Sequence, residues 1–122
     1  MNRFQRKQFL KQANLLDLVP VRLNAHNEEL DGKLAILVPK FKSSILSKML
    51  VPNSKSKNIK VRLDSIGSLV WLSINGTRTV IEISQDVAQS VGEQTSELES
   101  RIHQFILSLY DQRFITFTAL QE

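Results

Sequence analysis

The sequence contains no cysteine, which excludes disulfide bonds, thiolate nucleophiles and cysteine-ligated metal sites. It also lacks a run of about 20 apolar residues, the length that a helix needs to span a membrane. The first twelve residues, MNRFQRKQFLKQ, are charged throughout and do not resemble a signal peptide. We therefore expect a cytoplasmic protein. With 122 residues, a single domain can bury roughly two thirds of its unfolded surface in one core.

Histidine is scarce as well. Neither His26 nor His103 has a carboxylate at metal-ligand spacing, and His103 falls off the apolar stripe of its predicted helix, so we expect it at the surface. Asp64 and Glu82 are both explained as helix caps, and no nucleophile elbow or phosphate loop is present. Trp71 is expected in the core or a groove wall rather than as a cofactor platform. The sequence predicts no enzyme, no metal and no cofactor.

Charge is divided unevenly along the chain. Residues 1–62 hold 13 Lys or Arg against 4 Asp or Glu, whereas residues 63–122 hold 3 against 8. The predicted sheet-bearing half is therefore basic and the helical half acidic. Two interpretations stay open: solvated faces that maintain solubility, or an acidic partner bound on the sheet side.

The first segment, residues 1–18, is predicted to be a basic amphipathic helix, with residues 2–13 helical. A basic helix could lie on a membrane or on nucleic acid. One so short with two phenylalanines more often packs on its own domain, and we expect that role here.

Three strands are predicted next. Val21, Leu23 and Ala25 alternate with polar residues and indicate a first strand, whose start is guarded by Pro20. A polar connection closes at Asp31-Gly32, a strong turn dipeptide. The run KLAILV is apolar on both faces and ends before Pro39, which predicts a strand at the centre of the sheet. A mobile loop at 51–58 then precedes a third strand, Ile59–Leu63.

Three helices and a short extended tail follow. Asp64 is a candidate N-cap for the first helix, which Asn75-Gly76 ends, and Thr79 with Glu82 has the spacing of a capping box for the second helix. Gly92 is the natural end of the second helix, and Ser96 with Glu99 repeats the capping-box spacing. The third helix has the strongest apolar stripe in the chain: Leu98, Ile102, Phe105, Ile106 and Leu109.

This order of elements also resembles a known family. The spacing of Leu63, Gly67, Trp71, Asn75-Gly76, Thr79-Val80 and Ile83 resembles that of the PqqD family, small proteins of coenzyme PQQ synthesis, and of the related RiPP recognition elements. The resemblance runs from Ile59 to Phe117. Residues 1–18 and 42–58 lie outside it. Together with the predicted elements it indicates an α+β, winged-helix-like domain at 19–122, in which a three-stranded antiparallel sheet precedes three helices; the N-terminal helix lies outside this domain, and 42–58 is an insertion in it.

The resemblance implies a non-catalytic peptide-binding module. It would capture a leader or precursor peptide by β-augmentation on the third strand and present it to a modifying enzyme such as a radical SAM protein, in PQQ synthesis or a related pathway. Lys60 and Arg62 would favour an acidic peptide. We expect a monomer or weak homodimer, without nucleic-acid or membrane partners. The predicted peptide-binding residues are Ile59, Lys60, Val61, Arg62, Leu63, Arg101, Phe105 and Ser108.

Two alternatives remain. A winged helix could bind DNA, but the second and third helices are acidic, with Arg101 as their one cation, and the major groove calls for Lys or Arg. A regulatory subunit could instead dock on an enzyme through the N-terminal helix and residues 43–58.

Overall fold

The computed structural model describes residues 2–39 and 58–121. Within these ranges the protein is α+β, with four α-helices and a three-stranded antiparallel sheet, and it divides into two compact units, Asn24–Asp64 and Met1–Leu23 with Ser65–Glu122. The predicted insertion at 42–58 lies outside the described residues except for Asn58. The elements are α1 Arg3–Gln12, β1 Pro20–Arg22, β2 His26–Glu28, β3 Leu34–Pro39, β4 Asn58–Arg62, α2 Ser65–Ser73, α3 Val80–Val91, α4 Ser96–Asp111 and β5 Ile115–Phe117.

The sheet of the first unit has the order β2-β3-β4, and both strand pairs are antiparallel. The apolar run KLAILV thus supplies the central strand, as its sequence predicted, and Leu34, Ala35 and Ile36 are buried. The predicted turn is also present. Gly32 has a φ of +83°, and its N–H donates to the carbonyl of Glu29 at 3.0 Å.

The predicted first strand is wrong in its extent. Pro20–Arg22 forms β1, which pairs with β5 in a separate two-stranded sheet, and the edge next to β3 is occupied by β2 instead. Pro20 lies opposite Phe117, so it does not guard that edge. The chain changes partners around Asn24, whose side-chain amide donates to the carbonyl of Leu37 at 3.1 Å. The alternation of apolar and polar residues continues through this change of partner, because side chains alternate with a period of 2 whichever strand is paired. The pattern therefore predicted one strand where the structure has two.

Helices α2, α3 and α4 bury their apolar stripes in the second unit. Trp71 of α2, Ile83 of α3 and Ile106 of α4 are each 0% exposed, which confirms Trp71 as a core residue. Helix α2 ends at Ser73, before the turn in which Gly76 has a φ of +82°. Glycine reaches this left-handed conformation at little steric cost.

The helix ends confirm one capping box and correct another. The Thr79 hydroxyl accepts from the N–H of Glu82, and the Glu82 carboxylate accepts from the N–H of Thr79 at 3.0 Å. Hydrogen bonds from the backbone N–H and the hydroxyl of Thr79 hold the pKa of Glu82 below its ordinary value. Helix α4 is capped by Thr95, one residue before the predicted Ser96, because the Thr95 hydroxyl accepts from the N–H of Leu98 at 3.1 Å.

Helix α1 is present where the sequence predicted a helix, yet none of its residues is buried. Phe9 and Leu10 are half-buried, and Phe4 is 69% exposed. Its N-terminus is closed by a capping box between Asn2 and Gln5. Across the described ranges, no helix is long and apolar enough to cross a bilayer.

Candidate functional site

The register of β4 against β3 decides which of its backbone groups point outward. The N–H of Leu63 donates to the carbonyl of Leu34 at 2.9 Å. In an antiparallel pair each residue directs both backbone groups to one side, and the side alternates along the strand. Ile59 and Val61 therefore bond to β3 like Leu63, whereas the N–H and C=O groups of Lys60 and Arg62 point away from it. Among the described residues, no strand pairs with this outer edge of β4.

The two faces of β4 differ in chemistry. Val61 lies opposite Ile36 and Ile59 lies opposite Val38, so one face is apolar. Ile59, near the N-terminal end of β4, is 51% exposed, so part of this apolar face is open to solvent. The side chains of Lys60 and Arg62 are on the opposite face. Because the backbone groups of these two residues also point outward from the sheet, we call the pair the basic edge.

The basic edge has its own counter-ion. Oε1 of Glu29 lies 3.8 Å from Nζ of Lys60 and 3.6 Å from Nε of Arg62. The Glu29 side chain is only 23% exposed, and this oxygen is shielded from solvent and accepts no hydrogen bond within the described part of the chain. Since charge-assisted hydrogen bonds are about 2.7 to 2.9 Å long, these are ion pairs without a hydrogen bond.

Glu29 was missed by reasoning from the sequence, which placed it in a polar connection. Its N–H donates to the carbonyl of Lys33 at 2.7 Å, which extends the pairing of β2 with β3 by one residue. Glu29 therefore shares a sheet face with Lys60 and Arg62. The pairing of Glu29 with Lys33 could have been predicted by continuing the register of the hairpin. The proximity of Glu29 to Lys60 and Arg62 could not, because it depends on the pairing of β3 with β4, which are distant in sequence.

The helix-side residues of the predicted site lie on α4, in the other unit. Arg101, Phe105 and Ser108 follow the spacing i, i+4, i+7 and so share one flank of the helix. Arg101 and Ser108 are exposed, and Phe105 is half-buried. The Ser108 hydroxyl accepts a hydrogen bond from the side-chain amide of Gln112 at 3.0 Å. Their grouping with β4 stays a prediction.

The two histidines are in different elements, β2 and α4. His26 is in β2, opposite Ile36. His103 is half-buried rather than at the surface as predicted, and its Nε2 is shielded with no hydrogen-bond partner among the residues that the structure describes. Over residues 2–39 and 58–121, no group of three or more acidic or histidine side chains could hold a metal ion.

Comparison with known proteins identifies the family. No curated protein and no solved structure matches the chain significantly. The sequence model described as coenzyme PQQ synthesis protein D (PqqD) matches residues 50–115. This match covers more than half of the 122 residues and includes β4, α2, α3 and the whole of α4 with the turn that follows it. The resemblance read from residues 59–117 is thereby confirmed, and the chain belongs to the PqqD family.

Proposed function

We propose that this protein is a non-catalytic peptide-binding module of the cytoplasm, with a winged-helix-like arrangement. It captures a leader or precursor peptide as an added strand on β4 and presents it to a modifying enzyme, such as a radical SAM protein. The family's name supports a place in PQQ synthesis or a related peptide-derived pathway.

The outward backbone of Lys60 and Arg62 is the observation that supports this proposal. Two residues with an N–H and a C=O each offer about four hydrogen bonds to an added strand, and each contributes roughly 0.5 to 1.5 kcal/mol net. Covering the exposed half of Ile59 adds on the order of 1 kcal/mol. Ordering the peptide offsets part of this sum, so we expect affinity on the order of micromolar.

Side chains on the basic edge select the peptide. An added strand places its residues beside Lys60 and Arg62 at cross-strand distance, where opposite charges are favourable. An acidic peptide side chain would share these cations with Glu29, which already lies within 4 Å of both. We propose that Arg101, Phe105 and Ser108 of α4 also contact the peptide.

Two proline substitutions on neighbouring residues test the edge. Val61→Pro removes an N–H that bonds to β3 and leaves a carbonyl of the central strand without its donor, which costs about 1 to 3 kcal/mol. Arg62→Pro removes only an outward N–H. We expect Val61→Pro to lower the melting temperature, and Arg62→Pro to retain the fold and lose binding of an acidic peptide in which Glu alternates with Val.

Arg62→Ala is the matched control, because it removes the same side chain and keeps the backbone N–H. Arg62→Pro should bind the peptide at least about tenfold more weakly than Arg62→Ala, measured by fluorescence anisotropy of a labelled peptide. Equal binding by these two variants, both folded, would show that the edge of β4 does not receive the peptide.

A further inference from the structure

A second basic surface lies in the unit that contains α1 and α4. It is a cleft of about 560 Å³. One wall is formed by Arg3, Arg6, Lys7 and Leu10 of α1. These positions follow i, i+3, i+4, i+7, so they share one face of the helix. The cleft thus receives three cations from one helix face.

The opposite wall adds a fourth cation. It is formed by the C-terminal end of α4, the turn after it and β5, and its lining includes Tyr110, Asp111, Arg113 and Ile115. We call Arg3, Arg6, Lys7 and Arg113 the basic cleft. Asp111 is the one acidic residue among the described residues that line it. Among the described residues, no ion pair involves any of the four cations.

The charges of the basic cleft work against the helix that carries them. Like charges at i, i+3 and i, i+4 destabilise a helix, and Arg3 has such a relation to both Arg6 and Lys7. Helix α1 has ten residues and buries none of them, so tertiary packing does little to offset the repulsion. A helix of this length is marginal by itself in water. A bound anion would convert the repulsion into attraction and fix α1 against α4.

Arg113 occupies an unusual backbone conformation for a cationic residue. Its φ is +65°, and it is the one non-glycine residue with a positive φ in the described ranges. The N–H of Arg113 donates to the carbonyl of Tyr110, and the next N–H donates to the carbonyl of Leu109 at 2.9 Å. These bonds close the end of α4 in the manner for which glycine is preferred. The residue that takes this conformation is also one that lines the cleft.

We propose that the basic cleft binds a small ligand that bears several phosphate groups, and that this ligand orders α1. The volume is within the range of small-molecule sites. Three of the four cations are arginines, whose planar guanidinium groups bind phosphate oxygens in pairs. The ligand source is either an inorganic polyphosphate or the phosphate chain of a nucleotide. This site shares no residue with the peptide edge of β4 and does not depend on that proposal.

Calorimetric titration of the full chain tests the ligand class with four probes. Inorganic triphosphate and ATP should each saturate one site per chain, and AMP and citrate should bind at least about tenfold more weakly. If ATP binds about tenfold more tightly than triphosphate, the ligand is a nucleotide. If the two bind with equal affinity, the cleft recognises the phosphate chain alone. The proposal would be overturned if citrate bound as tightly as triphosphate, or if neither triphosphate nor ATP showed saturable binding.

Variants separate a built site from diffuse positive charge. Arg6→Gln and Arg113→Gly should each weaken triphosphate binding by about tenfold, whereas Lys11→Gln, which removes a cation of α1 outside the cleft, should change it less than about twofold. Arg113→Gly keeps the fold, because glycine suits the positive φ. Triphosphate should also slow amide hydrogen exchange in α1. Equal losses in all three variants, or unchanged exchange in α1 at saturation, would contradict the proposal.

Discussion

The basic edge and the basic cleft both consist of lysine and arginine, but they differ in whether a carboxylate lies close enough to pair with these cations. At the basic edge, Lys60 and Arg62 each lie within 4 Å of one partly buried carboxylate, that of Glu29. In the basic cleft, four cations share a concave surface with Asp111, and no described carboxylate is paired with any of them. The comparison shows that a count of charges does not reveal which cations still lack a counter-ion.

The two surfaces should therefore respond in opposite ways to loss of positive charge. Cations of the basic edge stabilise the sheet, because they neutralise a carboxylate that is shielded from water. Those of the basic cleft oppose the helical state of α1, because like charges on one helix face repel until a bound anion or added salt reduces the repulsion. Three predictions, from the largest expected effect to the smallest, test this contrast.

The largest effect is expected from reversal of the basic edge. Lys60→Glu with Arg62→Glu would place two new carboxylates beside Glu29. We expect a loss of about 1 to 2 kcal/mol in the free energy of unfolding, the lower part of the usual range because the Arg62 side chain is 74% exposed and screened by solvent. Urea unfolding measures this change, and peptide titration should show weaker binding of an acidic peptide.

Glu29→Gln in the reversed background is the control. It removes the central negative charge and should restore part of the lost stability, as expected for directly interacting residues. If the reversed variant unfolds at the same urea concentration as the unaltered protein, Glu29 is not held by these two cations.

A smaller effect is expected when only the counter-ion is removed. Glu29→Gln frees Lys60 and Arg62 for a peptide carboxylate, so affinity for an acidic peptide should rise by about two- to fivefold, equivalent to roughly 0.5 to 1 kcal/mol. Glu28→Gln is the matched control, since it removes the same charge from the opposite sheet face and should leave affinity unchanged. A fall in affinity on Glu29→Gln would mean that Glu29 orients the cations rather than competing for them.

The smallest effect is expected in the basic cleft. Arg6→Glu replaces a like-charge relation with Arg3 by an attractive one, and should stabilise α1 by about 0.2 to 0.5 kcal/mol per pair. Amide hydrogen exchange in α1 measures this change directly, even where global unfolding does not detect it. High salt should shrink the difference from the unaltered protein. Faster exchange in the variant would show that the cleft is not a repulsive surface.

Much of the local structure could be predicted because it depends on neighbours in sequence. The capping box of Thr79 and Glu82 and the left-handed Gly92 both involve residues within one helical turn. The central position of β3 followed from its apolar character on both faces. The cap of α4 was misplaced by one residue, because Thr95 and Ser96 both have a hydroxyl and local spacing does not choose between them.

The missed features all depend on residues distant in the chain. The division of the predicted first strand into β1 and β2 could not be predicted, because the alternation of apolar and polar residues does not show which strand is the partner. Half-burial of His103 was missed because the helical stripe shows which face is apolar, not how widely neighbouring elements cover it. Glu29 could not be assigned to Lys60 and Arg62 without the pairing of β3 with β4.

By itself, the sequence determined the element types, the helix ends to within one residue, the central strand and the family pattern, since each depends on residue spacing within a helical turn or along one strand. Only the tertiary structure decided which backbone groups of β4 point outward, that Glu29 neutralises the basic edge, and that Arg113 joins three cations of α1 in a cleft. Those outcomes depend on strand register and helix packing. Both are set by contacts between segments far apart in the chain, where a shift of one residue exchanges inward and outward groups.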